Sequence, residues 1–422
     1  MERIIVKPNS LSGKIKAIPS KTYGHRMIIL SALSGKKSRL IIDEYNDDLF
    51  ATLNCIKELG ADYSIDGEVL TIFPIKKINS KPLLNAGESG STLRFIIPVA
   101  TALYENTVID AKGSLKNRPI EPLLDGLAGT GVKFSNTTLP METFGKFIGG
   151  EIELPGHVSS QFITGILIAA SVLEKDTRII LTSELQSRAY VDVTIDVLKR
   201  YGIDVEKFSD GFFVKGSQCL NPPEEIRVEG DWSNAAPFLV AGALHGEVEI
   251  TGMNSESIQG DRVILDILKS FGADVSISDT IKVKSKDKIP LNIDINECPD
   301  LLPVLSILAC GAKGKSIFTG CHRLKIKESD RLTNSMEIIN NLGGEALIKD
   351  DSLIVNGRGY LFGGVVEGYG DHRMVMAATI ASLISENEIE IDGFSAINKS
   401  YPRFFKDFKC LGGEVVEFDN WK

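Results

Sequence analysis

The sequence predicts a mixed α/β (α+β) protein of two domains, each made of three copies of one folding unit. Three observations lead there. An amphipathic helix end, then a glycine, then a β-like run recurs at Gly60, Gly131, Gly202, Gly272, Gly343 and Gly412, at intervals of 71, 71, 70, 71 and 69 residues. A small or polar cluster opening an apolar, Ala/Gly-rich run recurs at 19–33, 89–103, 159–173, 231–244, 300–310 and 371–384. The stretches after the glycines alternate apolar and polar residues as hairpins do. Six units of about 70 residues fill the 422-residue chain. That period exceeds those of common solenoids. The wholly apolar runs call for helices buried on every side, so two globular sets of three with a ligand cleft between them are expected.

The elements follow in order. Pro19-Ser-Lys-Thr-Tyr-Gly-His-Arg26 places Lys21 and Arg26 ahead of an apolar run that starts at Met27. A helix N-terminus there offers unpaired N–H groups and two cations to an anion, although a surface loop explains it locally as well. Gly60 suits a helix C′ position in left-handed geometry. Gly87-Glu-Ser-Gly-Ser-Thr-Leu-Arg94 resembles an anion-cradling nest, a common feature of α/β loops. Lys112, Lys116 and Arg118 precede the next helix, and Ser159-Ser-Gln161 supplies neutral donors suited to a phosphate. Residues 204–214 form a hairpin through Ser-Asp-Gly, repeated at 277–283 and 348–355. Asn221-Pro-Pro-Glu-Glu reads as a linker.

In the second half, Cys298-Pro-Asp300 places a carboxylate at a helix start, where simple capping is an equal explanation. Arg323, Lys325, Lys327 and Arg331 interleave with Glu328 and Asp330, as either an active cluster or a solvated ion-paired face. Gly368-Tyr-Gly-Asp371-His-Arg-Met opens the sixth apolar run, and Lys399 stands in Asn-Lys-Ser-Tyr-Pro-Arg403.

Composition narrows the classes. A formal net charge of −9 argues against nucleic-acid or anionic-membrane partners, so any anion site is a local concentration of cations. No apolar run is long enough to span a bilayer, and the first residues lack a signal-peptide core, so a cytoplasmic protein is expected. The six cysteines are scattered without Cys-x-x-Cys, which predicts free thiols and no metal framework. No P-loop or nucleophile-elbow motif occurs.

Lys327-Glu-Ser-Asp-Arg331, Asp371-His-Arg-Met374, Ser159-Ser-Gln161 with Ser187 and Tyr190, and Ser89-Gly-Ser-Thr-Leu-Arg94 together resemble the 5-enolpyruvylshikimate-3-phosphate synthase family, from about residue 18 to 405. The resemblance implies an inside-out α/β barrel fold of βαβαββ-type units, with domains 21–227 and 228–422. Residues 1–20 return to the C-terminal domain, the second crossing falls near Val228-Glu-Gly230, and the domains close on substrate. It implies transfer of the carboxyvinyl group of phosphoenolpyruvate to the 5-hydroxyl of shikimate 3-phosphate, by addition and elimination. No cofactor or metal is implied, and a monomer with small-molecule partners only is expected. The implied catalytic set is Asp300, Glu328, Lys327 and Lys21. Shikimate 3-phosphate falls to Lys21, Thr22, Arg26, Ser159, Ser160, Gln161, Ser187, Tyr190, Asp300 and Lys327. Phosphoenolpyruvate falls to Lys21, Gly90, Arg118, Gln161, Arg331, Arg373 and Lys399, and glyphosate, a family inhibitor, is expected to compete with it. Thr22 replaces the usual serine, and Glu88 stands where a neutral residue is usual. The related UDP-N-acetylglucosamine enolpyruvyl transferases carry a cysteine before their Arg-Pro motif, and 112–117 has none.

Overall fold

The computed structural model describes residues 2–76 and 81–418. The chain divides into two compact units, an N-unit of Pro19–Glu229 and a C-unit of Met1–Ile18 with Gly230–Lys422. Among the described residues there are twelve α-helices: α1 (Lys21–Leu33), α2 (Asp47–Glu58), α3 (Gly90–Leu103), α4 (Glu121–Ala128), α5 (Ser160–Ala170), α6 (Arg188–Arg200), α7 (Trp232–Leu244), α8 (Ile264–Phe271), α9 (Leu302–Cys310), α10 (Arg331–Asn341), α11 (His372–Ala381) and α12 (Phe404–Cys410).

Each unit carries three four-stranded sheets. In the N-unit their strand orders are Glu225–Arg227, Ser38–Ile41, Val69–Phe73, Asp62–Asp66; then Leu83–Asn85, Asn106–Asp110, Met141–Phe144, Lys133–Phe134; then Gly150–Leu154, Thr177–Leu181, Gly211–Val214, Glu206–Phe208. In the C-unit they are Leu11–Lys16, Gly246–Thr251, Thr280–Lys284, Asp274–Ile277; then Asn292–Asp294, Lys313–Thr319, Ser352–Arg358, Ala346–Lys349; then Gly364–Glu367, Ile389–Asp392, Arg3–Val6, Val415–Phe418. In all six the first pair is parallel and the other two are antiparallel.

Parallel neighbours need a crossover, and a helix supplies it. Four sheets take theirs from within the repeat, through α3, α5, α9 and α11. The other two exchange strands. Leu11–Lys16 leads into α1 yet pairs with Gly246–Thr251, and Glu225–Arg227 leads into α7 yet pairs with Ser38–Ile41. The Asn221-Pro-Pro-Glu-Glu stretch therefore feeds a sheet strand, and the chain leaves the N-unit only after Glu229.

The apolar runs are the odd-numbered helices, and they are buried almost throughout, as for Phe162–Ala170 in α5 and Ala235–Leu244 in α7. Each fully buried Leu- or Phe-sized side chain contributes about 1.5–3 kcal/mol, which explains why these six helices form the centre of the two cores. Even-numbered helices such as α6 and α8 bury one face only. A Cβ on Gly165 of α5 would lie 2.3 Å from the Arg94 carbonyl oxygen of α3, so only glycine lets these two helices meet backbone to backbone. The six repeat glycines have φ of 98, 98, 81, 100, 77 and 100°, the left-handed geometry expected of glycines at a helix C′ position.

Candidate active site

In each unit the polar contacts join the N-terminal turns of the three buried helices. In the N-unit these turns are α1, α3 and α5, capped by the hydroxyls of Ser20, Ser89 and Ser159. Lys21, the first residue of α1, reaches Asp48 of α2 (Nζ to Oδ2 2.8 Å). Arg26, one turn on, is buried and donates to Thr194 Oγ1 (2.8 Å), Thr164 Oγ1 (3.3 Å) and the carbonyls of Thr22 (2.6 Å) and Tyr190 (3.0 Å). Its guanidinium also lies over the Phe95 ring at 5.0 Å. Gln161 bridges α5 to α3, accepting from Arg94 Nη1 (3.0 Å) and donating to Ser91 Oγ (3.0 Å). Ser187, buried at the start of α6, holds φ of 53°, a left-handed conformation uncommon outside glycine. Arg118 lies against Gly90, where a Cβ would come within 2.8 Å of its Nη1 and 2.7 Å of Arg94 Nη1. The Glu88 carboxyl packs against the Gly113 turn, where a Cβ would meet its Oε1 at 2.4 Å.

Gly90→Ala is therefore expected to push both guanidinium groups aside by several tenths of an ångström. Misplacement on that scale is expected to weaken roughly tenfold the binding of an anion held by these two cations. Anion titrations of parent and variant check it, and equal affinity in both would contradict it.

The C-unit turns are chemically different. Asp231 and Asp371 cap α7 and α11 through their carboxylates. Asp300 caps nothing: it lies in the 3₁₀ turn Pro299–Leu301 ahead of α9, and Leu301 occupies the cap position without a side-chain bond. Its oxygens instead face Lys327 (3.2 Å), Arg331 (2.8 Å) and Arg373 (3.5 Å). Arg331, 1% exposed, joins three carboxylates, reaching Asp300, Glu328 Oε2 (2.7 Å) and Asp371 Oδ2 (2.8 Å). Arg373 donates to the Ser233 carbonyl at the start of α7 (3.0 Å). Lys399 bonds the Gly370 carbonyl (2.9 Å), one residue before Asp371.

A family model described as EPSP synthase (3-phosphoshikimate 1-carboxyvinyltransferase) matches residues 5–408. The chain belongs to the EPSP synthase family. It is 39% identical to the 3-phosphoshikimate 1-carboxyvinyltransferase of Clostridium acetobutylicum and 35% identical to that of Methanocorpusculum labreanum. These alignments cover 99% and 98% of this chain and 99% and 100% of the relatives. The fold is that of an EPSP synthase from Acinetobacter baumannii (TM-score 0.84, 24% identity, 99% of this chain and 100% of that one). It is also that of the enolpyruvyl transferase NikO from Streptomyces tendae (TM-score 0.79, 16% identity, 100% and 99%). Among the described residues no helix is long and apolar enough to cross a membrane, no cluster has metal-ligand character, and all six cysteines are free thiols.

Electrostatics sort the carboxyls of the C-unit. Burial alone would raise the Asp300 pKa, but Lys327, Arg373 and Arg331 overcome it and hold the group well below the usual carboxylate range. Lys327 moves the other way from what its ion pair suggests: burial lowers its pKa, and Asp300 offsets only part of that. Arg331 is raised well above its ordinary value despite burial, because Asp371, Glu328 and Asp300 surround it. In the N-unit, burial with Lys21 and Arg26 nearby keeps His25 neutral, and its Nδ1 meets Thr52 Oγ1 at 2.6 Å.

Sequence reasoning did not single out Asp48 or the carboxylate role of Asp371. Asp48 follows Asn46-Asp47, an ordinary helix-start signature, and Asp371 is also a true N-cap. Capping chemistry hides an ion-pair partner in both.

Proposed function

We propose that this chain transfers the enolpyruvyl group of phosphoenolpyruvate to the 5-hydroxyl of shikimate 3-phosphate, giving 5-enolpyruvylshikimate 3-phosphate and phosphate. The observation that carries this reading is Asp300, an ionised carboxylate facing three cations, with Glu328 on the same guanidinium. Asp300 takes the 5-hydroxyl proton as that oxygen bonds C2 of phosphoenolpyruvate, and Glu328 gives a proton to the methylene carbon. The tetrahedral adduct then loses phosphate from C2, and the leaving phosphate takes the proton held on Asp300, while Glu328 takes back a proton from the new methyl group, restoring the double bond. Lys21 and Lys327 balance the charge that moves between these atoms.

The binding roles follow the chemistry of each unit. Ser159, Ser160 and Ser187 offer hydroxyls and helix-start N–H groups to the 3-phosphate. Thr22, Arg26, Gln161 and Tyr190, with Lys21, Asp300 and Lys327, meet the shikimate ring and carboxylate. Lys21, Gly90, Arg118, Gln161, Arg331, Arg373 and Lys399 take phosphoenolpyruvate. The low Asp300 pKa guarantees a free base but a weak one. Substrate anions that draw Lys327, Arg331 and Arg373 toward themselves remove the charges that depress it, so binding strengthens the base where it acts.

Phosphate release from phosphoenolpyruvate, measured with and without shikimate 3-phosphate, tests the reading. Release that requires shikimate 3-phosphate supports it. Release with UDP-N-acetylglucosamine alone, or none with either acceptor, overturns it.

A further inference from the structure

Two loops of the N-unit carry Ser159, Ser160 and Ser187, the three hydroxyls offered to the 3-phosphate. They leave the ends of neighbouring parallel strands, Gly150–Leu154 and Thr177–Leu181, where Leu154 stands opposite Leu181. Residues 155–158 lead from the first strand to Ser159, the cap of α5, and residues 182–186 lead from the second to Ser187, just before α6. Backbone bonds carry the pairing past the strand ends: Thr182 N donates to the Leu154 carbonyl (3.0 Å) and Gln186 N to the Gly156 carbonyl (3.1 Å). The loops run close together. A Cβ on Gly156 would lie 2.6 Å from the Ser183 carbonyl oxygen and 2.9 Å from that of Glu184. Between the two backbone bonds sits a side-chain pair. Ser183 Oγ accepts from His157 N (3.2 Å) and meets His157 Nδ1 at 2.6 Å. A hydroxyl can donate to a ring nitrogen or accept from it, so this contact suits either state of the imidazole. Neither helix needs the pair in order to start, since Ser159 caps α5 and Ser187 stands at the cap position of α6. His157 is exposed and belongs to neither core.

We propose that His157 and Ser183 are positioning residues: their contact latches the two loops together and fixes the spacing of Ser159 and Ser160 from Ser187 around the 3-phosphate. Neutral hydroxyls and helix-start N–H groups hold a phosphate only through several short bonds made at once, so both loops must keep one geometry. Ser187 sharpens that need. Its left-handed φ of 53° persists only where the surrounding structure enforces it, and the latch lies on the same loop four residues earlier. The inference rests on the transferase reading and adds to it two residues that act through the serines.

The test titrates shikimate 3-phosphate into parent and variants without phosphoenolpyruvate, then varies each substrate in steady-state kinetics. Ser183→Ala removes both bonds and is expected to weaken shikimate 3-phosphate about fivefold to tenfold, in Kd and KM alike. His157→Ala keeps the backbone bond and should weaken it about threefold. KM for phosphoenolpyruvate and kcat should stay within about twofold of the parent. Ser183→Thr, which keeps the hydroxyl, and His157→Asn, whose amide can meet the same oxygen, should each recover most of the loss. The double alanine variant should bind no more weakly than Ser183→Ala, because the shared hydroxyl is already gone. Unchanged affinity for shikimate 3-phosphate in both alanine variants would overturn the proposal. Equal losses for the two substrates would overturn it as well, since general damage to the unit makes no such distinction. If Ser183→Ala does not fold, His157→Ala against His157→Asn decides on the same terms. A parent that binds shikimate 3-phosphate but releases no phosphate would end the transferase reading alone, leaving the latch to be judged by the titrations. A parent that does not bind shikimate 3-phosphate would overturn both.

Discussion

Asp300→Asn is expected to lower kcat by roughly 10²–10⁴-fold while leaving KM for phosphoenolpyruvate unchanged or lower. Asparagine fills the same volume but cannot accept the 5-hydroxyl proton, so the addition step loses its base. The direction expected for KM separates this from simple damage to the site. Asp300 faces Lys327, Arg331 and Arg373, and all three cations are assigned to anionic substrates. Removing its charge frees them, and binding of phosphoenolpyruvate should tighten even as turnover collapses. Single-turnover kinetics with both substrates would show tight binding with slow phosphate release. A variant that releases phosphate at the parent rate would remove Asp300 from proton transfer. One with both KM and kcat badly impaired would point to a collapsed site.

The repeat plan was legible because its signals are local. A left-handed glycine after a helix, an all-apolar helix and a Ser-Asp-Gly hairpin each depend on a few adjacent residues, and they recur in register along the chain. Strand pairing carries no such signal. Nothing in the composition of Leu11–Lys16 distinguishes a neighbour at Ser38–Ile41 from the one it has at Gly246–Thr251. At the site, residue types were legible and partnerships were not. Asp300 looked as much like a helix cap as a functional carboxylate, and only its distances to Lys327 and Arg331 separate the two. Asp48 was invisible for a related reason: its partner, Lys21, lies on another element. The charge-rich stretch 323–331 shows both readings realised within one segment. Lys325 faces exposed Asp351 at 2.6 Å, while Arg331 is buried among three carboxylates.

Arg331→Met is expected to cost about 3–5 kcal/mol of folding stability, the range for breaking a buried ion pair from one side. Arg331 is almost fully buried, and Asp371 has no exposed surface at all. Without the guanidinium, Asp371 keeps the hydrogen bonds from Ser329 Oγ (3.1 Å) and Arg373 N (2.9 Å), while Asp300 and Glu328 lose the group that holds them side by side. Methionine fills much of the volume but satisfies none of these acceptors, so the cost is electrostatic rather than a cavity. Arg331→Lys separates charge from geometry. One ammonium restores the positive charge but lacks the planar fork that serves Asp371 through Nε and Nη2 while Nη1 reaches Asp300. Lysine should recover part of the stability and little of the activity. Adding Asp371→Asn to Arg331→Met should then cost less than the sum of the single changes, because the stranded carboxylate is the main source of the penalty. Urea unfolding of the four variants, namely both Arg331 changes, Asp371→Asn alone and the double, measures this. A loss below about 1 kcal/mol for Arg331→Met would mean that the carboxylates are held by the surrounding backbone rather than by Arg331, since an exposed pair contributes no more than that.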